Sequence, residues 1–322
     1  MALVVEQLKP LPRDNWVHHA LVGWVRWTGR NFDAGRAKHA WVVWGASVLV
    51  PALLMAAIYM AVHGVSPLLA LALNVGVLYL TLGFRQFSHY YTDIRDALER
   101  GDEVEARRLL AEWRHVDASD LPSTELLRHL IEHALLAAHR HVFGVFFWFV
   151  LMSTMGLGPL GAVLYRMSEF ASRYWSYPGK SLGVPANSPL MLVCQRMFRL
   201  IDHVPARLTA FGFAVVGNFE EAINAWRRDA MLWRHANEGV ILASASGAVG
   251  VRLGGEEAPG FSPERSRTFE AGASPDAGAV GSGTAGDPPQ LAHLSSVVGL
   301  VWRSVVLWML LLALLTLANL IG

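Results

Sequence analysis

The longest uncharged stretch of the chain limits the folds that it can adopt. Residues 40–84 contain no Asp, Glu, Lys or Arg. This length is enough for two helices of about 20 residues each, which is the length that a bilayer requires. The segment His63-Gly-Val-Ser-Pro67 lies between the two halves and supplies turn-forming residues. The pattern therefore predicts a transmembrane hairpin.

Further apolar runs strengthen the membrane assignment. Residues 142–165 and 304–321 are also free of charged side chains, and the whole chain is 53% hydrophobic but only 16% charged. The first of these runs contains Gly156-Leu-Gly-Pro159, which favours a break, so it forms either one kinked spanning helix or a hairpin that re-enters the membrane. Residues 208–219 are too few to span and suit an interfacial, re-entrant or buried helix.

The distribution of Lys and Arg predicts the orientation. Six of these residues precede Ala40 and eight lie within 85–140, whereas the loop at 63–67 has none. Because positive residues are retained in the cytoplasm, we expect a bacterial inner-membrane protein with a cytoplasmic N-terminus. Twelve more fall between Arg166 and Arg267, which favours the re-entrant hairpin.

The segments between the apolar runs differ in character. Residues 85–141 are charged and helical in pattern, with helices starting after Gly101-Asp102 and at Pro122-Ser-Thr-Glu125, where Ser or Thr resembles an N-cap. Residues 256–296 contain six Gly and five Pro, which predicts a disordered linker. Arg303 is expected to snorkel at the end of the last helix.

These patterns predict an all-α, polytopic integral membrane protein. Its expected segments are an N-terminal cytoplasmic part (1–39), the hairpin (40–84), a cytoplasmic helical module (85–141), a membrane-embedded or re-entrant part with the functional site (142–255), the linker (256–296) and a C-terminal transmembrane helix (297–322).

One short motif suggests a metal. His129-Leu-Ile-Glu-His133 has the H-x-x-E-H spacing of an inverted zinc-protease motif, and on a helix both histidines share one face. No third ligand is identifiable by spacing, and the single Cys194 excludes a cysteine-rich cluster. We therefore assign no metal ligands. The net charge of +1 gives no electrostatic argument for a nucleic-acid partner.

Basic and glycine-rich residues suggest an anion site. The arginines of the helical module either contact anionic lipid or converge on a phosphorylated ligand; they are Arg107, Arg108, Arg114, Arg128 and Arg140. The stretch from Gly247 to Gly255 follows Asn237 and reads GAVGVRLGG. Its glycines would let backbone N–H groups approach a phosphate that Arg252 neutralises.

Four sequence blocks are more specific than these motifs. They are GPLGAVLYR (158–166), VPARLTA (204–210), AWRRDA (225–230) and SGAVGVRLGG (246–255). Their order around the apolar runs resembles the CobD/CbiB family of integral membrane proteins. The resemblance implies a cobalamin-pathway synthase that joins adenosylcobyric acid to aminopropanol or its phosphate. Such a reaction implies ATP and magnesium as cofactors, and a phosphorylated or corrinoid small molecule as partner.

The chain departs from the family at the expected magnesium ligands. Of the family's I-E-S-x-A-E-N-x-x-D pattern only the first acid remains, as Glu132, while the later positions fall on Leu136, Ala137 and Arg140. The family's Asn-Thr-Leu-Asp falls on 169–172, and its paired aspartates fall on Phe198 and Arg199. Arg196, Pro205 and Arg207 match, and Asp202 stands where Asn is usual. Apolar and cationic side chains cannot hold magnesium.

Three other features of the chain resemble a second branch of the superfamily, the AmpE-like proteins. They are the opening VEQLKPLPRDNWVHHALVGWVRW, the arginine at 140 and the separate last helix. This leaves two hypotheses, a synthase-like enzyme or ligand binder and a non-enzymatic signalling protein. Membrane lipid is expected as a partner, and a homo-oligomer is compatible with both. The resemblance places Glu132 in a catalytic role and the following residues at a ligand or phosphate: Arg107, Arg114, Arg166, Arg196, Arg207, Asn237, Gly250, Arg252, Gly254 and Gly255.

Overall fold

A computed structural model describes residues 16–33, 35–82, 84–114, 122–176, 188–255 and 283–321. These residues are almost entirely helical and include no β-strand. The α-helices, numbered in chain order, are α1 Trp16–Phe32, α2 Ala37–Val65, α3 Pro67–Thr81, α4 Phe84–Glu99, α5 Glu103–Arg114, α6 Ser123–Ala138, α7 Gly144–Thr154, α8 Leu160–Ser176, α9 Ser188–Ile201, α10 His203–Val216, α11 Phe219–Asp229, α12 Ala236–Val249 and α13 Leu291–Ile321. A π-helical turn, His139–Phe143, joins α6 to α7. The prediction of an all-α polytopic membrane protein is confirmed.

Three stretches of the described helices are long and apolar enough to cross a membrane. They are Ala37–Val65, Ser123–Thr154 and Leu291–Leu314. The second begins inside the segment that was predicted to be a cytoplasmic module. The difference arises because α6 carries few charges, and two of them, Arg128 and Glu132, are buried within the protein.

The predicted hairpin at 40–84 forms two helices with a break at Ser66. The second helix, α3, has 15 residues and is shorter than a typical span. The run at 142–165 does not form one kinked helix, because α7 ends at Thr154 and α8 begins at Leu160. Gly156 and Gly158 between them have positive φ values of 77° and 57°, a conformation that side-chain-bearing residues rarely adopt. A helical hairpin is therefore present, and its re-entry into the membrane remains a prediction.

The chain divides into two compact units, each built from two separate segments. The first unit comprises 1–86 and 140–205. In it α8 packs against α2, α7 and α9. Its apolar core contains Trp44, Met167, Phe170, Trp175 and Leu190. The roles assigned to the segments predicted from the sequence remain a prediction.

Small residues allow the helices of the first unit to approach closely. Gly161 on α8 lies against the Trp148 backbone of α7, and Gly144 on α7 lies against the Tyr165 ring of α8. Gly29 on α1 faces the Trp175 indole in the same way. Such small-residue contacts drive helix packing where lipid removes the hydrophobic driving force.

The second unit comprises 87–139 and 206–322. In it α12 packs against α6, α11 and α13. Buried hydrogen bonds join α10 to this group of helices. Ser244 Oγ on α12 donates to the Ala210 carbonyl at 2.7 Å, and His139 Nδ1 in the π-helical turn lies 2.9 Å from Thr209 Oγ1. The Tyr91 hydroxyl donates to the Leu294 carbonyl at 2.7 Å. These bonds fix α4, α10 and α13 within the unit.

Two helices in the charged segment 85–141 begin where the sequence predicts, but only one has a side-chain cap. Asp102 Oδ1 accepts a hydrogen bond from the Glu105 N–H at 3.0 Å and so caps α5 where the sequence predicts a helix start. At α6 the cap residue is Pro122, and no side chain caps the helix. The Ser123 hydroxyl instead donates to Glu103 Oε1 at 2.5 Å. It therefore joins α6 to α5.

The predicted linker differs from the structure at its C-terminal end. Residues 256–282 lie outside the described residues, but 283–290 are described and α13 already begins at Leu291. Val251 and Asp287 form an isolated parallel bridge, which gives the Gly- and Pro-rich sequence partners for its backbone groups. Arg303 lies within α13 and not at its end.

The contact between α7 and α8 makes a testable prediction. A Cβ added at Gly161 would overlap the Trp148 carbonyl, which is backbone and cannot move aside cheaply. We expect Gly161→Ala to destabilise the protein by about 1–3 kcal/mol, which a lower melting temperature in detergent would report. Gly76→Ala is the matched control, because a Cβ at this helical glycine meets nothing within 4 Å. Equal melting temperatures for the two variants would contradict the packing described.

Candidate functional site

The glycine turn, residues 250–255, follows α12 and has an unusual backbone. Gly250 and Gly254 have φ values of 78°, and Gly255 has φ 136°. These left-handed conformations require glycine and allow the chain to reverse within a few residues of the helix. The turn is mostly buried, but Gly250 and the Arg252 side chain are exposed.

Glu132 on α6 holds the end of this turn by a hydrogen bond. Its Oε1 accepts a hydrogen bond from the Gly254 N–H at 2.7 Å, and the carboxylate is 6% exposed. Arg128 Nε lies 4.0 Å from the same oxygen, and His129 Nδ1 lies 3.9 Å from Oε2. The structure thus brings together Glu132 and Gly254, two residues that the sequence placed in one site.

Residues 283–287 hold the other side of the turn. Asp287 O accepts from the Arg252 N–H at 2.8 Å, and Thr284 Oγ1 accepts from the Leu253 N–H at 2.9 Å. Ser246 Oγ donates to the Val251 carbonyl at 2.7 Å and lies 2.5 Å from Thr284 Oγ1. Sequence reasoning missed Thr284 and Asp287, because the GTAGD stretch at 283–287 was assigned to the linker. It also missed the role of Ser246, although this residue opens the block at 246–255.

This network changes the expected mode of anion binding. The N–H groups of Gly250 and Val251 both donate to Ser246 O, so all five N–H groups from Gly250 to Gly254 have acceptors inside the protein. A phosphate cradle built from these groups, as the glycine pattern suggested, is therefore not available in this conformation. The exposed Arg252 side chain is the part of the turn that can meet an anion.

Arg207 and Asn237 form a second, separate group. Arg207 Nη1 on α10 donates to Asn237 Oδ1 at 3.3 Å, at the start of α12. Asn237 and Gly250 are 13 residues apart, and the helix between them places the two groups about 20 Å apart along its axis. A single phosphate cannot contact both Arg207 and the glycine turn.

The remaining predicted arginines lie elsewhere. Arg107 Nη2 pairs with Glu103 Oε2 at 2.8 Å on α5, and the Arg114 side chain lies outside the described residues. Arg166 and Arg196 belong to the first unit, where Arg196 is exposed on α9. Arg166 Nη1 pairs with Glu169 Oε2 at 3.1 Å.

Glu169 is the centre of a buried ionic cluster in the first unit. It is 3% exposed, and its second oxygen lies 3.5 Å from Arg173 Nε. Burial, the largest single influence, would raise the pKa of Glu169, but the charges around it, led by Arg173 and Arg166, together lower that pKa to about 2. Burial lowers the pKa of Arg166, and Glu169 partly opposes this. The carboxylate is therefore ionised and serves as the counter-ion of two arginines.

The residues of the H-x-x-E-H motif contact protein groups in the structure. His133 packs edge-on against Trp113, with ring centroids 4.3 Å apart, and Glu132 holds Gly254. Among the described residues, no three His, Cys, Asp or Glu side chains are grouped so that they could hold one metal ion. The donor set on the described part of the chain therefore does not fit a protein-built magnesium site.

Comparison with known proteins gives the evolutionary context of this geometry. A sequence profile described as CobD/Cbib protein matches residues 2–280. The chain is 32% identical over 301 residues to the "Cobalamin biosynthesis protein CobD" of Stutzerimonas stutzeri, covering 91% of this chain and 90% of that protein. The chain belongs to the CobD/CbiB family.

Two further relatives support the membership of this family. The protein of the same name from Chromobacterium violaceum is 31% identical over 264 residues, covering 79% of this chain and 80% of the relative. A relative from Leptospira interrogans is 24% identical over 188 residues. No solved structure matches the chain significantly.

The contact between Glu132 and Gly254 gives a prediction. Glu132→Ala leaves the buried Gly254 N–H without an acceptor, which costs about 1–3 kcal/mol. We expect hydrogen exchange at Gly254 to accelerate about 5- to 150-fold, as measured by mass spectrometry on the detergent-solubilised protein. Glu132→Gln keeps an acceptor oxygen and should exchange nearly as slowly as wild type. Unchanged exchange in Glu132→Ala would show that the bond does not hold the turn.

The Glu169 cluster predicts acid sensitivity. Because the folded-state pKa is depressed from 4.5 to about 2, the stabilisation is complete above pH 4.5 and is lost as the pH falls towards 2. The amount is about 3 kcal/mol. Thermal unfolding of the wild type between pH 5 and pH 2 should show this loss. Glu169→Gln should be less stable at pH 5 and should lack that component, and an identical pH profile would contradict the assignment.

Proposed function

We propose that this chain acts in cobalamin biosynthesis as a binder of a phosphate-bearing or corrinoid molecule. The observation that carries the proposal is the buried hydrogen bond between Glu132 and Gly254. It links the acid that matches the family pattern to the glycine block that resembles the family most specifically. The relatives named for cobalamin biosynthesis, which cover most of the chain, support the same pathway.

Arg252 is the proposed anion contact. Its side chain is exposed, while its backbone is fixed by the hydrogen bond to Asp287 O. A guanidinium on a fixed backbone loses less conformational freedom on binding, and it can contact two phosphate oxygens at once. Arg207 and Asn237 lie too far away to share that phosphate, so in this proposal they contact another part of an extended ligand.

The finer proposal is amide ligation of adenosylcobyric acid with aminopropanol or its phosphate. Amide formation would require ATP to activate the carboxylate as an acyl phosphate, so that the C–O bond to phosphate breaks and phosphate leaves as the amine forms the C–N bond and loses a proton to water. It also requires stabilisation of the developing negative charge. In this proposal Arg252 supplies the positive charge, and Glu132 positions the turn that carries it. No step depends on magnesium held by the protein, because the described residues offer no suitable ligand set.

The alternative is a non-enzymatic, AmpE-like signalling protein. Leu136, Ala137 and Arg140 stand at family positions that are otherwise acidic or amidic, and the turn's N–H groups are engaged internally. These two observations are the support for the alternative.

We further propose a location in the bacterial inner membrane with the N-terminus in the cytoplasm. The three membrane-capable helices support a membrane location. The excess of Lys and Arg before Ala40 and within 85–140 supports the orientation.

Complementation tests the enzymatic proposal. The full chain is expressed in a strain that lacks its own synthase and is supplied with cobyric acid. We expect cobalamin-dependent growth to be restored, and Arg252→Ala to lower product formation about tenfold or more, since hydrogen bonds to charged groups contribute about 1.5–3 kcal/mol. Arg234→Ala removes another exposed arginine of the same unit and is the control.

The outcomes separate the two hypotheses. Failure to restore growth at normal expression would exclude the synthase and favour the signalling protein. Rescue with equal losses in Arg252→Ala and Arg234→Ala would support the activity but remove the proposed anion contact.

A further inference from the structure

The exposed face of α10 is an apolar stripe. Leu208, Phe211 and Val215 follow one another at spacings of three and four residues, so they lie on one face of the helix. They are 37%, 49% and 45% exposed. Phe219, the first residue of α11, extends the stripe and meets Phe211 edge-on with ring centroids 6.3 Å apart. The opposite face of α10 is buried and includes Ala206, Thr209, Ala210, Phe213 and Ala214.

The length of α10 limits how it can contact lipid. Its 14 residues extend about 21 Å, whereas the hydrocarbon core of a bilayer is about 30 Å thick. The helix therefore cannot span the membrane, although its outer face is apolar.

One close approach to α13 locates α10 relative to the membrane surface. Arg303 and Trp302 on α13 are exposed, and the sequence is free of charge from Ser304 to Ile321. Arginine and tryptophan in this position mark a membrane–water interface. A Cβ on Gly212 of α10 would lie 3.7 Å from Trp308 Nε1. Trp308 is five residues beyond Arg303, so α10 passes α13 about 8 Å on the apolar side of that arginine.

The charges at both ends of α10 fix its direction. Arg207 lies near its start, and Glu220 and Glu221 are exposed just after its end. Arg207 and Val216, the last residue of α10, are nine residues apart, so a helix parallel to the membrane normal would carry one end about 14 Å deeper than the other. That arrangement would place exposed ionised groups in hydrocarbon, which costs several kcal/mol. A helix lying in the plane of the membrane avoids this cost.

We propose that α10 is an interfacial helix that lies in the plane of one leaflet, with Leu208, Phe211 and Val215 inserted among the lipid acyl chains. Polar residues at its ends remain at headgroup level. The expected depth is about 5–10 Å below the headgroups, which is typical of such helices and agrees with the contact to Trp308. The proposal does not depend on the ligand or on catalysis.

Spin labels can test this placement in the whole protein. Single cysteines replace Leu208, Phe211 or Val215 in a Cys194→Ala background, and the labelled protein is reconstituted in phosphatidylcholine vesicles. Relaxation by oxygen compared with a water-soluble nickel complex reports the depth of each label. We expect all three labels to favour oxygen and to lie about 5–10 Å below the phosphates. A label at Glu220→Cys is the control, and it should favour the nickel complex.

Three outcomes would overturn the proposal. Preference for nickel at all three positions would place the stripe in water. Labels at depths that increase steadily from 208 to 215 towards the bilayer centre would show a helix along the membrane normal. Dipolar coupling between labels of neighbouring molecules, with restricted access to both reagents, would show a second copy on the stripe. Because the three side chains are exposed, each cysteine variant reports independently of the others.

Discussion

The hydrogen bond from the Gly254 N–H to Glu132 holds the glycine turn of the second unit against α6. Glu132 is buried on a helix with few charges, where an ionised carboxylate needs donors to offset the loss of water. Gly254 supplies one donor from a position 122 residues away. The bond therefore satisfies the buried acid and ends the turn in a defined place. The hydroxyls of Ser246 and Thr284 then complete the support from the other side.

The membrane helices of this protein can be predicted from its sequence, because long runs without charged residues are a strong signal. Uncharged runs at 40–84 and 304–321 have few alternatives to membrane helices, and the start of α5 after Gly101-Asp102 follows from local chemistry. The grouping of Glu132 with the glycine block was also predicted, through the family resemblance. These features depend on residue type or on conserved order, and neither requires knowledge of distant contacts.

The unpredicted features depend on contacts between distant residues. The sequence cannot show that the N–H groups of a glycine-rich turn are already used, because their acceptors are the side chain of Glu132, Thr284 Oγ1 and backbone oxygens such as Asp287 O. In the same way, the sequence groups Arg207 and Arg252 in one site, but α12 separates them. The buried Glu169 is a further example. It stands where the family has an asparagine, and the sequence does not show that it neutralises Arg166 and Arg173 in the folded protein.

The bridge between Val251 and Asp287 has a consequence for how the C-terminal helix is attached. Since Arg252 N–H and Asp287 O are 2.8 Å apart, the distance from the end of α12 to the start of α13 is set by this pairing and not by the 27 residues of 256–282. The number of residues between Gly255 and Gly283 therefore has little influence on where α13 begins.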